Sequence, residues 1–88
     1  MRVIIEVPDY IGRGLHFEWE EGFKIFTEVN VQKKNTSIFG NKAGLISLAR
    51  ILLSLAQDGI PNDYHIHLDY SNSLEEGSSE IILGRRED

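Results

Sequence analysis

The chain has 88 residues, of which 41% are hydrophobic and 26% charged, proportions of an ordinary folded domain and too few residues for a second independent core. It contains no cysteine, which excludes a disulfide framework, a thiolate metal site and a cysteine nucleophile, and fits a reducing, cytoplasmic setting. The formal net charge is -5, and the longest apolar-rich stretch, over 44–56, is broken by Ser47, Arg50 and Ser54, so neither a nucleic-acid backbone nor a membrane about 30 Å thick is an expected partner.

In chain order, the run Val3, Ile4, Ile5 is too short for a signal-peptide core and meets Glu6 at once, so a first strand is expected over 2–7. Pro8, Gly12 and Gly14 mark a turn over 8–14. Leu15, Phe17 and Trp19 then alternate with His16, Glu18 and Glu20, predicting a second strand closed by a tight turn at Glu21 and Gly22. Trp19 shares the parity of Leu15 and Phe17, which points to the core; its acidic neighbours leave a binding hot spot as the alternative.

The clearest strand is expected over 23–31, where Phe23, Ile25, Thr27, Val29 and Val31 alternate with Lys24, Phe26, Glu28 and Asn30. A polar turn over 32–35 precedes a short optional strand over 36–39. Asn41 is a candidate helix N-cap, and Gly59 followed by Pro61 supplies a stop, so a helix is expected over 42–58. Leu45, Leu48, Ala49, Leu52, Leu55 and Ala56 form its apolar stripe, leaving Ser47, Arg50, Ser54 and Gln57 as a polar ridge. Ile46, Ile51 and Leu53 exceed that stripe, so either a curved sheet wraps the helix or its flank meets a partner, including a second copy in a homodimer.

Tyr64, Ile66, Leu68 and Tyr70 alternate with His65, His67 and Asp69 in a further strand over 64–70; a loop over 71–78, a last strand over 79–83 and a polar tail over 84–88 complete the chain. The expected fold class is therefore α+β: one domain over 1–88, with a single mostly antiparallel sheet of five to six strands and one helix packed on one face. The order is three strands, an optional fourth, the helix, then two strands.

Two imidazoles and a carboxylate at every second position, His65, His67 and Asp69, suit zinc or iron if a further ligand or open position exists; alternation on a polar outer face explains them without a metal and is the favoured reading. A small metal-binding protein or hydrolase thus stands as one function class. No nucleophile elbow and no phosphate loop is present: the segments 12–14 and 40–44 lack the required Gly-Lys-Ser/Thr ending. Glu75 and Glu76 are adjacent loop acids, a pattern more often solvated than catalytic. No cofactor is expected. Arg50 and Arg85 bracket a stretch with no Lys or Arg that holds Asp58, Asp63, Asp69, Glu75, Glu76 and Glu80, which makes a basic protein the better-matched partner.

Four pieces of the C-terminal half occur in a specific order and spacing: 40–49 (GNKAGLISLA), 52–57 (LLSLAQ), 65–69 (HIHLD) and 73–82 (SLEEGSSEII). Together, over about 37–83, they resemble the immunity protein 32 family. The resemblance implies a bacterial, non-enzymatic inhibitor that binds and neutralises a cognate toxin encoded beside it, with an acidic surface suited to a basic toxin. His65, His67, Asp69, Tyr70, Glu75 and Glu76 are the expected partner-binding residues, supplying donors, charge and aromatic area.

Overall fold

The computed structural model describes residues 1–12 and 14–87; Arg13, in the expected turn, and Asp88, in the expected tail, lie outside it. Its elements are β1 (Ile25–Asn30), β2 (Asn35–Gly40), α1 (Lys42–Leu55), β3 (His65–Leu68) and β4 (Ile81–Gly84). β1 pairs antiparallel with β2, Ile25 opposite Gly40, and β3 with β4, His65 opposite Gly84. The expected single sheet of five to six strands is thereby corrected to two separate two-stranded sheets and one helix.

The correction has a physical cause. The stretches 2–7 and 15–20 form no strand among the described residues, and side chains of α1, with Gln57 just beyond it, take backbone groups of the N-terminal segment. Arg50 donates through Nε to the Glu6 carbonyl (3.2 Å) and through Nη1 to the Glu18 carbonyl (3.1 Å). Gln57 donates to the Pro8 carbonyl (3.0 Å) and accepts from the Tyr10 amide (3.1 Å). Ser47 Oγ accepts the Glu20 amide at 2.9 Å. A two-stranded sheet is marginal in water without such packing.

The same contacts rotate α1 relative to its expected face. Its buried residues are Gly44, Ser47, Leu48, Ile51, Ser54 and Leu55, whereas Leu45, Leu52 and Leu53 are about half exposed. The serines of the anticipated outer ridge are inside, and they can be: Ser47 and Ser54 donate to the carbonyls of Ala43 and Arg50, one turn back, so neither hydroxyl is buried unpaired. Of the flank of Ile46, Ile51 and Leu53 considered for a homodimer, Ile51 is 1% exposed and belongs to the core, whereas Leu53 is 48% exposed.

Asn41 caps α1, its Oδ1 accepting from the Gly44 amide at 2.8 Å and from the Lys24 amide at 3.0 Å, while its Nδ2 donates to the Gly22 carbonyl. One side chain thus starts the helix and fixes it to the entry of β1. The helix ends at Leu55, short of the expected Asp58, and Arg85 Nη1 satisfies the carbonyls of Leu55 and Gln57 at 3.0 and 2.7 Å.

Ile25, Leu48, Leu68 and Leu74 form a buried cluster, against which Trp19, Phe23, Ile66, Ile81 and Leu83 pack. Trp19 is therefore on the core side of its two alternatives, stacked on Phe23 with ring centroids 4.5 Å apart. The segment between β3 and β4 runs along the outer edge of β1: the Glu75 amide donates to the Ile25 carbonyl (2.8 Å) and the Ser79 amide to the Thr27 carbonyl (3.1 Å). Thr27 is fully buried there, its amide bonded to Ser78 Oγ and its hydroxyl to the Ser79 carbonyl.

Candidate partner-binding surface

The β3–β4 ladder turns Ile66, Leu68, Ile81 and Leu83 inward and leaves His65, His67, Ile82 and Gly84 outward, as period two requires. His65 and His67 lie edge to face, ring centroids 5.1 Å apart. His67 Nδ1 stands 3.6 Å from a Glu80 carboxylate oxygen, and both side chains are half exposed. His65 also borders a cleft of about 520 Å³ lined by Asp63, Ile82, Gly84, Arg85 and Arg86. Across this cleft Arg86 Nε bonds the Asp63 carboxylate at 2.9 Å.

Asp69 does not join the histidines. β3 ends at Leu68, and the Asp69 carboxylate turns into the following loop, accepting from the Ser71 hydroxyl (2.7 Å) and from the amides of Ser71 (2.9 Å) and Asn72 (3.2 Å). The Ser71 hydroxyl, with those amides, holds its carboxyl below the ordinary value of 3.8. Its carbonyl accepts the amides of Asn72, Ser73 and Leu74, while Asn72 donates to the His67 carbonyl. Asp69 is thus the keystone of a turn that delivers Leu74 to the core. Tyr70 projects from that turn, 69% exposed. Among the described residues no three His, Asp or Glu side chains are grouped to hold an ion, so the zinc or iron constellation of His65, His67 and Asp69 is not assembled.

Glu75 and Glu76 are exposed on the connecting segment. The bond between the Glu75 amide and Ile25 brings that segment to a shallow groove lined by Lys24, Phe26, Phe39, Asn41 and Glu75. Phe26 and Phe39 are cross-strand partners in β1 and β2, and Phe39 is 63% exposed. Phe26 and Phe39 carry no local signal that marks them as a pair. The alternation in β1 placed Phe26 on the outer face, but only the pairing of 36–39 with β1 sets a second aromatic beside it.

The candidate residues therefore divide into three neighbourhoods: His65 and His67 with Glu80 on the outer face of β3–β4, Asp69 and Tyr70 in the turn after β3, and Glu75 and Glu76 beside the aromatic groove. A model of the family described as immunity protein 32 matches residues 36–86. That span takes in β2 from Thr36 onward, α1, both strands of the second sheet and every candidate residue. No curated protein and no solved structure matches the chain.

Proposed function

The chain belongs to the immunity protein 32 family, and we propose that it neutralises a cognate toxin by stoichiometric binding through its acidic surface, without catalysis. Beyond family membership, the reading rests on the groove where Glu75 stands beside Phe26 and Phe39. An exposed Phe39 beside a half-buried Phe26, with Glu75 and Lys24 at the rim, matches the anchor-and-rim arrangement of protein interfaces. The absence of any Lys or Arg between Arg50 and Arg85 makes the Glu75 and Glu76 segment the part of this surface that favours basic groups of a toxin, while Lys24 stands in the same groove. Glu75 and Glu76 supply charge there, Tyr70 rigid aromatic area, and His65 and His67 donors on the neighbouring face, while Asp69 acts by holding the turn. The bacterial cytoplasm is the proposed site of action.

The test is titration of the product of the adjacent gene with this protein, read as residual toxin activity and as heat of binding. The expected result is an end point at one equivalent. The double variant Glu75→Lys/Glu76→Lys should slow association and lower its salt dependence, because charged rim residues act mainly on the on-rate. Unchanged association kinetics in that variant would remove the acidic loop from the interface.

A further inference from the structure

We infer that the free edge of β2 takes up an extended segment of the partner protein, extending the β1–β2 sheet to three strands; the inference rests on the toxin-binding reading for the source of that segment. β1 is used on both edges, by β2 and by the segment carrying Glu75 and Ser79. β2 is used on one. Because the carbonyls of Ile25 and Thr27 point away from β2 to reach Glu75 and Ser79, antiparallel alternation directs the groups of their partners Gly40 and Ile38, and of Thr36, away from β1. Among the described residues no hydrogen bond reaches those outward groups.

The side chains point to the same occupant. Ile38 and Phe39 are 45% and 63% exposed, and as successive strand residues they stand on opposite faces of the sheet. A helix or loop docked on one face would cover one of them. A strand added at the edge places alternate side chains beside both: one set along Phe39 and its neighbour Phe26, the other along Ile38 and the exposed Leu45, which lies against Gly40. Main-chain bonds would then supply affinity and the two apolar rows selectivity.

Charge selects what kind of strand it is. β2 itself is uncharged, but Lys33 and Lys34 precede it and Lys42 follows it. A second copy pairing antiparallel through Thr36, Ile38 and Gly40 would bring Lys34 opposite Lys42 of its mate, a like-charge arrangement that discourages edge-to-edge pairing. A segment with apolar residues at alternate positions and a carboxylate at each end meets lysine at both ends instead.

The probes are two capped heptapeptides of alternating valine and threonine, one with glutamate and one with lysine at each end, titrated into the full chain to millimolar concentration while backbone amides are followed by NMR. The glutamate peptide should bind about five- to thirtyfold more tightly than the lysine peptide, the effect of two exposed ion pairs. It should also slow exchange at the amides of Thr36 and Ile38. Ile38→Pro removes an outward donor without a ladder bond to β1 and should abolish binding. Lys34→Glu/Lys42→Glu keeps the backbone and should reverse the preference between peptides, which decides the matter should the proline variant not fold. Binding of neither peptide, or a preference that the lysine substitutions leave unchanged, overturns the inference. If the adjacent gene's product fails to bind, the toxin reading falls, and the peptides still decide the fate of the edge.

Discussion

Replacing Arg50 with methionine should cost this domain roughly a sixth of its stability or more. The guanidinium is 13% exposed and reaches three oxygens on the N-terminal segment: the carbonyls of Glu6 and Glu18 and, at 2.7 Å, the Glu20 carboxylate. Each carbonyl bond from a charged donor is worth about 1 kcal/mol net. The Glu20 carboxylate is 41% exposed, so solvent screening holds its share under about 1 kcal/mol. The sum is about 2–3 kcal/mol, against the roughly 4–13 kcal/mol expected for a domain of this length. Methionine keeps most of the stem's packing, so the loss reports the polar bonds. Urea unfolding followed by Trp19 fluorescence should show a midpoint lowered by about 2 M, taking a slope of about 1–1.5 kcal/mol per molar. High salt should recover little of the difference between the two proteins, because the two carbonyl bonds are not screened as an ion pair is. A loss below about 0.5 kcal/mol would refute the claim that α1 organises residues 6–20 through its polar ridge.

Three further outcomes test the packing. Gly44→Ala should destabilise by at least about 1 kcal/mol in thermal or urea unfolding despite alanine's helix preference, because the added methyl group would run into the Lys24 carbonyl, which the Asn41 amide holds at 3.1 Å. Ile51→Ala should cost about 2–4 kcal/mol and Leu52→Lys less than about 0.5, since the first side chain is 1% exposed and the second 52%; the reverse ranking would restore the face expected from the leucine pattern. The Asp69 carboxyl is held below its ordinary value in the folded protein, so its contribution is present above that value and is lost as pH falls through the lower folded one. Amide exchange at Ser73 and Leu74 should accordingly accelerate at pH below 3.8 in the wild type and already be fast at neutral pH in Asp69→Ala.

Period two located β1 and the inward and outward sets of β3, and the pairing of Asn41 with Gly59 located the helix, because those signals lie within a few residues of one another. The face of α1 was not legible. A leucine-rich stripe predicts burial only when the opposite ridge is left in water, and here Ser47, Arg50 and Gln57 bond to an N-terminal segment as many as 49 residues away in the chain, while Ser54 turns back to the Arg50 carbonyl. Those contacts account for two errors at once: they remove the first two expected strands and turn Leu45 and Leu52 outward. The candidate site was legible to the same degree. Alternation brings His65 and His67 to one face, but it cannot foresee that the Asp69 carboxylate closes on Ser71 and Asn72 and so leaves that face, nor that the 75–79 segment occupies the outer edge of β1 and leaves β2 as the open one. Exposure of Ile38, Phe39 and Leu45 follows from these long-range choices. With its helix ridge directed to its own N-terminus, the domain leaves the outer edge of β2 without a hydrogen-bonded neighbour among the described residues, and that edge keeps backbone bonds to offer a partner.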